Sequence, residues 1–226
     1  MERKKIIAII PARGGSKGIP KKNIINFLDK PLITHSIKYA KESILINDIY
    51  VTTDDKDIAK VSLDSGAKVI NRPDNLSNDT ASTESAILHA LDNIKTKPET
   101  IILLQPTSPL RPKGSLDEAI KHFVSEKYDS LLSISPTHRF FWETKKQTAI
   151  PKYNYKNRPR RQDIKSDEVN YVENGSLYIS TYNNLISNKN RLGGNIGFVI
   201  FEEEYSYEID TPTDLKILTS IAEDLK

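Results

Sequence analysis

The sequence contains no cysteine, which excludes disulfide frameworks, thiolate nucleophiles and cysteine-ligated metal centres. No apolar run approaches the ~18 residues that a membrane-spanning helix needs, so no membrane partner is expected. An excess of one charge is missing too: 33 Lys+Arg against 30 Asp+Glu leave a net charge of +3. That is too little to argue for nucleic acid as a partner. The four histidines, His35, His89, His122 and His138, show no metal-ligand spacing, and no Ser-His-Asp set is suggested. A signal peptide is not expected either, because the apolar stretch after the basic Met1–Lys5 opening is short and stops at Pro11. With no targeting segment and many Lys, Ile and Asn, a bacterial, cytoplasmic enzyme is the expectation.

What is present is an ordinary globular composition of 37% hydrophobic and 28% charged residues, over 226 positions. That length suits one α/β domain, residues 1–226. Ile6–Ile10 is a continuous apolar run, as in a central strand covered on both faces. Further strands are expected at Ile49–Thr53, Ala67–Ile70, Thr100–Leu104, Ser130–Ile134, Gly175–Ile179 and Ile196–Phe201. Helical patterns fall at about Leu32–Ser43, Lys56–Ser65, Ser82–Ile94 and Ser115–Ser125. A last helix opens at Thr211-Pro212-Thr213-Asp214, with Thr211 as N-cap. Strands alternating with helices imply βαβ units and a mostly parallel sheet, with ligands beyond the carboxyl ends of its strands. Residues 136–167 break the pattern with a polar, basic, proline-containing stretch, read as an excursion that forms a dimer arm or an active-site cover.

The loop after the first strand, Pro11-Ala12-Arg13-Gly14-Gly15-Ser16-Lys17-Gly18-Ile19-Pro20-Lys21-Lys22-Asn23, carries the most chemistry. Its glycines allow backbone amides to approach phosphate oxygens closely, and Arg13, Lys17, Lys21 and Lys22 supply charge for a polyphosphate. It is neither a P-loop, because Gly18 follows Lys17 where a hydroxyl is needed, nor a G-x-G-x-x-G fingerprint. Near the other end, Glu208 and Asp210 stand two apart, a spacing that on a strand turns both carboxylates to one side, where they could hold one or two Mg²⁺ ions. Read alone, the same spacing is common beside a helix start.

Five segments, taken in order, resemble the acylneuraminate cytidylyltransferase family, the CMP-sialic acid synthetases. They are the P-A-R-G-G-S-K-G-I-P-K-K-N loop, Arg72–Thr83, Leu104–Arg111, Arg158–Asp163 and Glu173–Ser176; Glu208–Thr211 stands where the family has D-I-D-T. The resemblance implies a Rossmann-like nucleotidyltransferase fold of the nucleotide-diphospho-sugar transferase type, a homodimer joined through the 136–167 arm, and transfer of CMP from CTP to a nine-carbon nonulosonic acid. It implies that Arg13, Ser16, Lys17 and Lys22 surround the triphosphate, with Asn23 on the ribose side. Arg72, Asp79, Ala81 and Thr83 would frame the cytosine, together with the backbone of Ala12. Gln105, Arg158, Arg161, Gln162, Asn174 and Tyr178 would hold the sugar acid, the arginines on its carboxylate. Asp210 and Glu208 would hold Mg²⁺, with Mn²⁺ as a tolerated substitute. The implied catalytic set is Arg13, Lys22 and Asp210; no general base is assigned.

Two positions depart from the family pattern: Glu208 replaces an aspartate, and Val172-Glu173 stands where some bacterial members carry an arginine and a proline. The sequence leaves open which acid is used, with legionaminic, pseudaminic and deaminated neuraminic acids as alternatives. A non-catalytic nucleotide-binding module is the reading from another class.

Overall fold

The computed structural model describes residues 5–165 and 168–225. The opening Met1–Lys4 and the last two positions of the expected excursion, 166 and 167, lie outside them. The chain runs β1 (Ile6–Pro11), a short hairpin β2 (Asn26–Phe27) and β3 (Lys30–Pro31), then α1 (Leu32–Glu42) and β4 (Asp48–Thr53). It continues with α2 (Lys56–Asp64), β5 (Lys68–Asn71), α3 (Thr83–Asp92), β6 (Thr100–Leu103), α4 (Ser115–Ser125) and β7 (Ser130–Thr137). After β8 (Trp142–Lys145) and β9 (Thr148–Pro151) come β10 (Asn170–Thr181), α5 (Tyr182–Asn188), β11 (Ile196–Ile200) and α6 (Pro212–Asp224).

Seven strands form one sheet in the order β11-β7-β10-β6-β1-β4-β5. Only β10 runs antiparallel to its neighbours, so the expected mostly parallel α/β sheet is what forms. The physical cause is visible in β1, whose Ile6–Ile10 are all buried. Ala8 and Ile10 face one cluster with Ile33 and Ile37 of α1, Ile58 of α2, and Leu116 and Ile120 of α4. Ile7 and Ile9, alternating to the other face, meet Ile87 and Leu91 of α3 and Leu185. A strand covered on both faces has no solvated side, hence its unbroken apolar run.

The parallel strands β1, β4, β5 and β6 present their carboxyl ends on one edge. The connection from β1 runs towards β4 while β6 lies on the other side of β1, so the crevice beyond β1 and β6 is a topological switch point.

Two expectations need correction. Pro136 and Thr137 belong to the main sheet, because β10 begins at Asn170 and pairs Tyr171 with Pro136 and Asn170 with Thr137. What departs from the sheet in the described residues starts after Thr137 and includes the β8–β9 hairpin and two 3-10 turns, 155–157 and 161–163. Secondly, β10 is much longer than Gly175–Ile179, and α5 follows it directly. The Thr181 side chain caps α5 by accepting from the Asn184 amide.

Candidate functional site

The loop after β1 is pinned from three sides. Ala12 N–H donates to the Thr52 carbonyl at 3.0 Å, Gly14 N–H donates to Asp54 Oδ1 at 3.0 Å, and Asn23 Nδ2 donates to the Arg13 carbonyl at 2.9 Å. Gly18 lies so close to the Asp210 carbonyl that any Cβ would collide with that backbone, so the loop needs glycine there. The chain ends that were distant in sequence therefore meet: Lys22 Nζ is 2.7 Å from Asp210 Oδ1.

Asp210 is placed by the start of α6. Thr211 and Asp214 form a capping box, and Asp214 Oδ2 also accepts from the Asp210 amide at 3.1 Å. The 208–210 stretch is not a strand, contrary to the geometry on which the shared face of Glu208 and Asp210 was expected. The alternation survives all the same: Ile209 is fully buried against Phe27 and Leu218, and its amide donates to the Thr107 carbonyl at 2.8 Å. Burial, reinforced by the neighbouring Asp210 charge, raises the pKa of Glu208 above its ordinary value. Two crowded carboxylates of this kind fit a divalent cation that takes one or two protein ligands and otherwise phosphate oxygens and water. Among the described residues no cluster of three or more His, Cys, Asp or Glu could hold a metal by itself.

These elements enclose a cleft of about 420 Å³. Arg13, Ser16, Lys17, Lys22 and Asn23 line it from the loop after β1. Arg72, Asp79, Ala81 and Thr83 line it from the segment between β5 and α3. Of the residues expected on the nucleotide, only Ala12 lies beneath the lining, 1% exposed. Asp79 draws in two of the cations, Lys17 at 2.7 Å and Arg13 at 3.2 Å, and the Lys17 hydrogen bond lowers its pKa. A polyphosphate entering the cleft competes with this carboxylate for the same donors. Arg72 is 8% exposed and donates to the Thr52 carbonyl at 2.5 Å; burial lowers its pKa. Asp79 does not cap the following helix; the cap of α3 is Ser82, which accepts from Ser85 N–H at 3.1 Å. Lys21 turns away to the surface, paired with Asp57 at 2.6 Å.

A second cavity of about 510 Å³ shares Gln105 and Glu208 with the first. Its wall is the Glu173–Ser176 motif, which sits where the β10–β7 register shifts. Gly175 takes a left-handed φ of 66° there, and a Cβ at this position would run into the Glu208 carboxylate. Gly175→Ala is therefore expected to destabilise the protein by about 1–2 kcal/mol from backbone strain alone, before displacement of Glu208 is counted. A melting temperature equal to that of the wild type would contradict this.

Gln105 and Tyr178 line the second cavity, as does Glu173, whose carboxylate accepts from the Tyr178 hydroxyl. Burial first, and then Glu173, raises the pKa of Tyr178. Asn174 is buried instead, its Oδ1 accepting from Ser133 Oγ at 2.5 Å and its Nδ2 donating to Ser135 Oγ at 3.0 Å, so it braces the motif from below. Arg158, Arg161 and Gln162 are exposed on the excursion and are not brought to the cavity within this chain. Arg158 lies over the Phe140 ring at 4.5 Å and Arg161 pairs with Glu203 at 3.6 Å.

Two arginines carry roles that motif reading did not assign. Arg111, half-buried and with its pKa lowered by desolvation to about 10, donates to the carbonyls of Gln105 (2.9 Å) and Ser176 (3.0 Å) and so ties the two walls together. Arg191 lines the second cavity from the loop after α5.

A family model described as Cytidylyltransferase matches residues 7–226. The chain belongs to the cytidylyltransferase family. Among its relatives, an N-acylneuraminate cytidylyltransferase of Escherichia coli is 32% identical over 97% of this chain and 52% of its own length. The chain spans about half the length of the N-acylneuraminate cytidylyltransferases that head its curated relatives. A Campylobacter coli relative, Post-translational flagellin modification protein B, is 32% identical over 94% of this chain and 93% of its own length. The cytidylyltransferase fold is shared with a solved CMP:2-keto-3-deoxy-manno-octonic acid synthetase complexed with CTP, at a TM-score of 0.71, 16% identity and full coverage of that chain. No helix among the described residues is long and apolar enough to cross a membrane.

Proposed function

We propose that this chain transfers the CMP portion of CTP to the anomeric hydroxyl of a nine-carbon, N-acylneuraminate-type acid and releases pyrophosphate. The observation that carries this reading is the pair of clefts that meet at Gln105 and Glu208, the first gathering four cations (Arg13, Lys17, Lys22 and Arg72) around three carboxylates, the second one cation beside two carboxylates. CTP occupies the first, its triphosphate held by Arg13, Ser16, Lys17 and Lys22, and its base by Arg72, Ala81 and Thr83. The acid occupies the second, against Gln105 and Tyr178. Its anomeric oxygen forms a bond to the α-phosphorus and gives up its hydroxyl proton to solvent, as the bond from that phosphorus to pyrophosphate breaks. The fixed cations then offset charge on the departing pyrophosphate, the kind of pre-placed electrostatic stabilisation on which phosphoryl chemistry depends.

Mg²⁺ is the proposed cofactor, with Mn²⁺ as substitute; Asp210 and Glu208 would hold it, and it supplies charge neutralisation at the phosphate oxygens. A homodimer is proposed as well. Its support is an apolar stripe on edge strand β11, where Ile196, Phe198 and Ile200 are each about half exposed, and the exposed Phe141 and Trp142 near the hairpin. A cytoplasmic location, where CTP is made available, belongs to the same reading.

The test is pyrophosphate release from CTP and Mg²⁺ across a panel of sugar acids, with no-acid and EDTA controls. Release that needs a nine-carbon acid and the metal is the expected result, fastest with an N-acylneuraminate. Release best supported by an eight-carbon acid, or by none of the panel, would overturn the assignment.

A further inference from the structure

We propose that Arg191 is a specificity-determining residue that binds the carboxylate of the sugar acid. The inference rests on the transfer reaction proposed above and adds to it a cation that no motif marks.

Three contacts fix the Arg191 guanidinium. Its Nε donates to Glu84 Oε1 at 2.6 Å, its Nη1 donates to Gln105 Oε1 at 3.3 Å, and its plane lies over the Tyr178 ring at 4.8 Å. Both members of the ion pair are largely shielded, with side-chain exposures of 18% for Arg191 and 20% for Glu84. Burial is the largest single influence and works against the charge on Arg191, but the hydrogen bond it donates to Glu84, the Glu84 charge and Tyr178 together outweigh it and raise the pKa, so the group stays cationic. Glu84 lies in the first turn of α3, immediately after Ala81–Thr83 of the nucleotide cleft. The helix that opens at the nucleotide cleft thereby also positions Arg191.

The charges around the 510 Å³ cavity point the same way. Among its described lining residues the charged ones are Glu173, Glu208 and Arg191, so Arg191 is the single cation. With Glu208 given to the metal, the Glu173 carboxylate repels an anionic substituent from its side and leaves the Arg191 side as the favourable place for it. Pairing with Glu84 cancels much of the net charge of Arg191, so attraction at a distance is weak. Recognition then depends on directional hydrogen bonds. A guanidinium carries five donors, of which Glu84 and Gln105 engage two, and its planar fork matches a carboxylate. Because the side chain is already locked, little ordering is lost when the acid binds. Arg158 and Arg161, expected on the carboxylate from the resemblance, stand exposed on the excursion.

The test compares steady-state constants for Arg191→Leu, Arg191→Lys and Arg161→Gln with the free acid and with its methyl ester. Arg191→Leu is expected to raise KM for the free acid about tenfold or more and to leave KM for CTP within about twofold. Arg191→Lys is expected to recover little of this, since an ammonium lacks the fork. With the methyl ester, wild type and Arg191→Leu should converge. If Arg191→Leu misfolds, Glu84→Gln, which keeps the shape and loosens the guanidinium, should still raise KM for the acid with an unchanged melting temperature. An unchanged KM for the acid in both Arg191→Leu and Glu84→Gln, or an equal rise on acid and ester, overturns the inference. So does a rise confined to Arg161→Gln. A wild-type protein silent on every acid overturns the transfer reaction itself, which is distinct from an active wild type indifferent to Arg191.

Discussion

Replacing Lys22 with Met is expected to lower kcat/KM for CTP by ~10²–10³-fold, the loss typical of one pre-placed donor at a developing anion. Methionine keeps the length and the apolar stem of the side chain and removes only the charge. The lysine head group is held in place, 16% exposed and 2.7 Å from Asp210, by a 3-10 turn that directly follows the glycine-rich loop. Because the interaction is worth most when charge builds on the leaving pyrophosphate, the loss should fall on kcat more than on KM. Circular dichroism and melting temperature separate this from unfolding. If kcat and KM both stay at wild-type values, Lys22 is only the surface partner of Asp210.

Asp210→Asn has an expected effect of similar size, ~10²–10³-fold in kcat, with a different signature. The capping box that positions this residue uses Thr211, Asp214 and the backbone amide of 210, none of which the substitution touches. The fold and the start of α6 should survive. The residual rate should lose its dependence on Mg²⁺ in the range where the wild type saturates. Because Lys22 and Asp210 are in contact, the double variant should lose less than the product of the two single losses. Full additivity, or a rate that still follows Mg²⁺ as in the wild type, would remove Asp210 from the metal site.

The sheet was legible in the sequence because its signal is local. Ile6–Ile10 is apolar throughout, α4 begins and ends where its helical period does, and the Thr211–Asp214 cap is spelled out in adjacent letters. The make-up of the first cleft was legible for a related reason, since one short loop supplies three of its four cations, Arg13, Lys17 and Lys22. The second cavity was harder to read. The position of Arg191 depends on Glu84, 107 residues away, and on the ring of Tyr178, so nothing within its own neighbourhood announces it. Asn174 has the letter of a ligand-binding side chain, yet the serines of β7 take up its amide from below. Arg158, Arg161 and Gln162 share a motif, but within one chain the excursion carries them away from the cavity. For the excursion itself, polar composition hid a hairpin, because β8 is exposed at every position and β9 at all but its last, and neither has a buried face to set a period.

The most direct measurement is phosphorus NMR of the protein incubated with CTP, Mg²⁺ and N-acetylneuraminic acid. The CTP signals are expected to be replaced by one phosphodiester resonance and pyrophosphate in equal amounts, with no reaction when the acid is left out. Persistence of CTP, or its conversion to a nucleoside diphosphate and inorganic phosphate, would contradict it.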